Sequence, residues 1–140
     1  MRDESADFGF ESGLTDADAV REKRQDLRKR LKDYSLRILK LYDSLPKTGS
    51  VHIITHQLAR SGTSPMAQYR EACRAKSNAD FISKIEGGLQ ELDESDGWLE
   101  LLVDGKYVAA SKLAPLRAET NELISIFVTM AVNTKKRGRR

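Results

Sequence analysis

The chain has 140 residues, 39% of them apolar and 32% charged, with a formal net charge of +3. That is the size of one domain, with enough apolar material for a single core. One cysteine, Cys73, excludes an intrachain disulfide and an all-cysteine zinc site, and no apolar run approaches the roughly 18 residues of a membrane-spanning helix.

Residues 1–14 are acidic, contain glycine and serine and show no apolar period, so they read as a disordered head. They also lack the apolar stretch of a secretory signal, and a cytoplasmic protein is expected. Thr15-Asp16-Ala17-Asp18 has the form of a capping box, a threonine N-cap with an acid three residues on. Val20, Leu27, Leu31, Tyr34, Ile38, Leu41 and Leu45 then recur at steps of three, four or seven, an a/d-like stripe that predicts a long first helix stopping before Pro46.

Ser50 is placed to cap a second helix with Ile54, Leu58, Ser61, Pro65, Tyr69 and Ala72 on one face. Small residues from Ser61 to Ser64 allow another helix to approach closely. Pro65 removes a backbone donor and predicts a kink, with nearby Ser and Thr hydroxyls taking up freed backbone groups. Ser77-Asn78-Ala79-Asp80 is another capping-box-like start. It opens a third helix with Phe81, Ile85, Gly88, Leu89, Leu92, Leu99 and Leu102 on its stripe, weakened at Gly87-Gly88 and Asp96-Gly97. Trp98 lies beside that seam, where a neighbouring subunit would meet it. Asp104-Gly105 is a turn signal. The fourth helix is expected from about Ser111 to about Asn133, with Leu113, Leu116, Thr120, Leu123, Phe127 and Met130 inward. No segment alternates as a strand does. Four helices with short connections predict an all-α, antiparallel up-and-down four-helix bundle over residues 15–134, followed by a basic tail over 135–140.

The charge is unevenly spread. Residues 1–20 carry a net −5, residues 21–42 a net +6, residues 43–134 a net −3 and the last six residues +5. Basic blocks of this kind attract phosphate backbones by releasing condensed counterions. An amphipathic helix also shows charge on its outer face simply because that face is solvated.

Catalytic and metal chemistry finds little support. A di-iron bundle needs Glu-x-x-His on two helices, but the residues three before His52 and His56 are Gly49 and Ile53. The two histidines share a helix face yet lack the further ligands that zinc requires. No phosphate-cradling or dinucleotide glycine motif occurs. Cys73 has Arg70 and Arg74 nearby but no general base placed by sequence. Arg60, Arg70, Glu71, Arg74 and Glu91 fit interhelical ion pairs that set register and partner choice. No cofactor, no metal and no enzymatic activity are expected.

The stretch L-A-R-S-G-T-S-P-M-A-Q-Y-R-E-A-C-R-A-K-S-N-A-D-F-I-S-K from Leu58 resembles the signature of the bacterial four helix bundle protein family. Its members are known from open reading frames in the intervening sequences of 23S rRNA genes. E-L-D-E-S-D-G-W-L-E-L-L from Glu91 and N-E-L-I-S-I-F-V from Asn121 agree with it, so the likeness spans roughly residues 20–134. Pro65, Gln68, Gly87-Gly88 and Asp96-Gly97 depart from the family pattern and bear on the straightness of the second and third helices. The resemblance implies assembly into a homo-oligomeric ring, usually a homopentamer. It implies a structural or interface role for Arg60, Ser61, Gly62, Tyr69, Arg70, Glu71, Phe81, Glu91 and Trp98. It also implies kinship with the accessory variability determinant protein of diversity-generating retroelements, a basic pentamer that binds nucleic acid and a reverse transcriptase.

The expected function is therefore non-enzymatic binding of RNA or DNA, or an adaptor role. The phosphate contacts would come from Arg21, Lys23, Arg24, Arg28, Lys29, Arg30 and Lys32 of the first helix and from Lys135, Lys136, Arg137, Arg139 and Arg140 of the tail. A reverse transcriptase is a partner by family analogy only, and no membrane is involved. The rival expectation is a protein–protein scaffold with no nucleic-acid role, in which the acidic head folds back on the basic helix in one version.

Overall fold

In the computed structural model, which describes residues 15–138, the four apolar stripes become four long helices. They are α1 (Asp16–Ser44), α2 (Gly49–Ala72), α3 (Asn78–Asp104) and α4 (Ala110–Gly138). No strand occurs among the described residues, and no helix is long and apolar enough to cross a membrane.

The caps follow local chemistry. The Thr15 hydroxyl accepts from the Asp18 backbone N–H at 3.1 Å, and the Asp18 carboxylate accepts in return from the Thr15 N–H at 3.4 Å. Ser77 caps α3 in the same way, accepting from the Asp80 N–H at 3.1 Å. Ser50 does not cap α2. That helix starts two residues earlier, after a Thr48 whose side chain makes no capping bond, while Ser50 hydrogen-bonds the Tyr107 hydroxyl instead. The tight α1–α2 connection holds Gly49 at φ +73°, a left-handed conformation that a Cβ would strain.

Each helix packs antiparallel on the next, and of the four neighbouring pairs around the bundle α1 and α4 make the loosest contact. Ion pairs mark the register: Arg60 to Glu91 and Glu94, Lys84 to Glu71, Arg117 to Asp96 and Lys135 to Glu86. Arg60, Glu71 and Glu91 thus hold the interhelical pairing read from the sequence, while Arg70 and Arg74 make no ion pair among the described residues. α4 runs to Gly138, five residues beyond the expected end at Asn133, so Lys135–Arg137 form its last helical turn. Thr134 is buried there, and cations suit the negative end of a helix dipole.

The core joins Leu27, Leu31, Tyr34 and Ile38 of α1 to Leu58 and Tyr69 of α2, Ile85, Leu92, Leu99 and Leu102 of α3, and Leu113, Leu116, Leu123 and Phe127 of α4. Val20, on the expected core stripe, is 50% exposed. Trp98 is half-buried against the core, and its indole nitrogen is sealed off without a hydrogen-bond partner among the described residues. A polar layer crosses the middle with one hydroxyl from each helix. Tyr34 bonds Thr120 at 2.7 Å, and Ser61 bonds Ser95 at 2.8 Å. Thr120 and Ser95 also reach the Leu116 and Glu91 carbonyls at 2.8 and 2.9 Å, so each of the four hydroxyls has a partner.

α2 continues through Pro65. Thr63 and Ser64 donate to the carbonyls of Ala59 and Arg60 at 2.8 and 3.0 Å, not to the Ser61 carbonyl that Pro65 deprives of its usual donor. Two glycines set helix spacing. A Cβ at Gly62 would meet the Ile38 side chain at 2.8 Å, and one at Gly88 would meet the Phe127 ring at 2.6 Å. Gly88 is a point of close α3–α4 approach, not merely a weak place in a helix.

Candidate nucleic-acid interface

α1 carries its bases on the side that the apolar stripe leaves free. The structure divides them. Arg21 pairs with Asp18 one turn earlier, and Lys29 pairs with Asp33 at 3.2 Å. Arg30 is committed across the α1–α4 seam. It donates to Glu119 through Nε at 3.0 Å and through Nη2 at 2.7 Å, and to Glu122 at 2.7 Å. The Glu119 hydrogen bonds hold its guanidinium well above its ordinary pKa. Arg30 is therefore a clamp between helices, not an open cation. Its partners lie 89 and 92 residues away, beyond anything that charge counting along α1 reveals. Lys135 is likewise engaged, with Glu86 at 2.8 Å.

The other bases are less constrained. Lys23, Arg24, Arg28, Lys32, Lys136 and Arg137 form no ion pair among the described residues, although Arg137 donates to the Thr134 hydroxyl at 3.0 Å. Arg139, Arg140 and the acidic head lie outside the described residues. Arg28, Lys29 and Lys32 stand at i, i+1 and i+4 and, with Gln25 and Asp26, line an open hollow of about 400 Å³. Arg70 of α2 completes it. Arg70 belongs to the motif read as an interface, yet the antiparallel α1–α2 register brings it beside the α1 bases. The hollow thus presents four cations against the carboxylate of Asp26, with Lys29 also held by Asp33 beside it. The Arg28 Nε is buried without a hydrogen-bond partner among the described residues, leaving a donor unsatisfied. That buried nitrogen does not face the hollow, but the guanidinium groups of Arg28 and Arg70 as a class match phosphate oxygens in geometry and charge.

Lys23, Arg24 and Arg137 sit apart, on the rim of a second cleft between α1 and α4. Arg60, Ser61, Gly62, Glu71, Glu91 and Trp98 lie along the helix contacts or the core edge, and Tyr69 and Phe81 line the α1–α4 cleft. His52 and His56 pack edge to face with ring centroids 6.1 Å apart, and His52 also faces Tyr42 at 5.9 Å. Among the described residues no group of three or more His, Cys, Asp or Glu is placed to hold a metal ion.

These features define an all-helical bundle with a cationic α1–α2 hollow. A family model for 23S rRNA-intervening sequence proteins matches residues 23–129, and the chain belongs to that family. It is also similar to a crystal structure from Bacteroides thetaiotaomicron VPI-5482, described as a protein with unknown function from the S23 ribosomal protein family. The two chains are 30% identical with a TM-score of 0.69, over 74% of this chain and 96% of that one. No curated protein matches the chain.

Proposed function

We propose that the protein is a non-enzymatic, homo-oligomeric binder of nucleic-acid backbones, with the α1–α2 hollow as its contact. The observation that carries this reading is the convergence of Arg28, Lys29, Lys32 and Arg70 on one open surface. Assembly into a ring, pentameric by the family resemblance, would repeat the hollow around one axis. Avidity then exceeds single-site affinity by about 10²–10⁴-fold when several copies engage one strand. No aromatic side chain lines the hollow, so the hollow offers no base-stacking platform and weak sequence preference is expected there.

The test is a charge reversal. Arg28→Glu, Lys32→Glu and Arg70→Glu together should weaken RNA or DNA binding by at least about 100-fold at about 50 mM salt, and should lower the log–log salt slope by about 3. Lys40→Glu, Lys106→Glu and Lys112→Glu make the same change in net charge on exposed positions toward the opposite end of the bundle and should leave binding nearly intact. Fluorescence anisotropy on a generic duplex and a structured RNA reads both. Equal losses in the two triple variants, or none in the first, would refute the reading.

A further inference from the structure

The α1–α4 cleft is built differently from the cationic hollow. It encloses about 520 Å³, within the roughly 300–1,000 Å³ of clefts that take organic groups. Its floor is apolar, with Val20, Leu27, Phe81, Ile126 and Met130, and its rim carries Lys23, Arg24 and Arg137. Val20 lies on the core stripe of α1 by helical period, yet it is 50% exposed, and Phe81, Ile126 and Met130 are only half-buried. The bundle thus leaves an apolar strip uncovered beneath a rim on which Lys23, Arg24 and Arg137 outnumber the one lining carboxylate, Asp26.

We propose that this cleft is the docking site for the chain's own N-terminal segment, residues 1–14, with Phe8 and Phe10 on the apolar floor and the acids of the segment on the cationic rim. Three features of the chain converge on that occupant. The segment joins the bundle at Thr15, and Val20 lies only about 6 Å along the axis from the start of α1, with Leu27 about 10 Å further on. Phe10 and Phe8 are five and seven residues before Thr15, so extended chain reaches about 17 and 24 Å, and Ser12-Gly13 is a turn-forming pair for the reversal. The chemistry is also complementary. The segment holds two of the chain's four phenylalanines, plus Asp3, Glu4, Asp7 and Glu11 against a single Arg2. A second copy docking by this same face would instead oppose like charges across the rim. The docking is independent of any nucleic-acid role.

The chain has three methionines, and Met130 is on the cleft floor, Met66 is on α2 outside the cleft and Met1 is in the segment itself. Methyl NMR on full-length protein labelled at methionine therefore reports the docking directly, with no nucleic acid present. In the Phe8→Ala/Phe10→Ala variant, loss of two aromatic ring currents should move the Met130 methyl resonance by more than its linewidth while Met66 stays in place. The Asp3→Asn/Glu4→Gln/Asp7→Asn/Glu11→Gln variant should move Met130 in the same direction. An unchanged Met130 resonance in the phenylalanine variant overturns the proposal. So does recovery of the wild-type resonance when labelled Phe8→Ala/Phe10→Ala chains are mixed with excess unlabelled wild-type chains, because the occupant would then come from a neighbouring copy.

Discussion

Gly88→Ala is expected to destabilise the bundle by up to about 2 kcal/mol, whereas Gly97→Ala in the same helix is expected to stabilise it by up to about 1 kcal/mol. Both substitutions relieve a helix interior of glycine, a gain of roughly 0.8–1 kcal/mol each. They differ in what the new methyl meets. At Gly97 nothing lies within 4 Å of an added Cβ, so the propensity gain stands alone. At Gly88 the Cβ would sit 2.6 Å from the Phe127 Cε2 atom. Phe127 is fully buried and tilted against the Tyr69 ring, centroids 6.3 Å apart, so it has little room to withdraw. Overpacking of a tight core costs about 1–3 kcal/mol, which exceeds the propensity gain toward the upper end of that range. Urea unfolding of the two single variants measures the contrast. Phe127→Leu adds a control: it opens space beside position 88, so the cost of Gly88→Ala should shrink in that background. A Gly88→Ala protein as stable as wild type would mean that α3 and α4 are not held at the spacing described.

The same glycine shows where sequence is informative and where it is not. Helix starts at Thr15 and Ser77 were legible because a cap is a local bond between residues three apart. The inward faces were legible because burial follows the helical period, and Leu31, Ile38, Leu92, Leu99, Leu123 and Phe127 all lie where it placed them. Gly88 stood on the α3 stripe, but its value as a contact depends on Phe127, 39 positions away, and periodicity is blind to that. Val20 failed for the opposite reason: its period is right, but it faces the open α1–α4 cleft and not a packed helix. The end of α4 was missed because the apolar pattern stops at Met130 while Lys135 and Lys136, good helix formers, continue the helix with Lys135 anchored to Glu86. The basic face of α1 was visible as composition. Its division into a clamp at Arg30 and an open cluster with Arg70 was not, because both depend on which helix lies opposite.

Alkaline pH is expected to destabilise the wild-type bundle through Tyr34, and to do so by about 2–3 kcal/mol more than it destabilises Tyr34→Phe. Burial pushes the Tyr34 phenol from its ordinary 10.0 up to about 12, an effect that the neighbouring Thr120 and Ser95 hydroxyls only partly offset. Below pH 10 the folded and unfolded states both keep the proton, and Tyr34 adds nothing to the pH dependence. Between 10 and about 12 the unfolded chain releases the proton and the folded chain retains it. The folded state then binds more protons, so stability falls as pH rises, and the loss is complete once the buried phenol itself ionises. Two units at 1.36 kcal/mol each give the stated size. Near neutral pH the variant should be about 1 kcal/mol less stable than wild type, for loss of the 2.7 Å bond to Thr120. Thr120 still donates to the Leu116 carbonyl at 2.8 Å, so no buried donor is stranded. The order of stability should therefore reverse between about pH 8 and about pH 12. Tyr69, which burial also pushes upward, and the surface lysines titrate in both proteins and cancel in the difference. Unfolding curves for the pair at both pH values decide the matter. A difference that stays constant would mean that the Tyr34 hydroxyl is reached by water, and that the polar layer at the centre of the bundle is open.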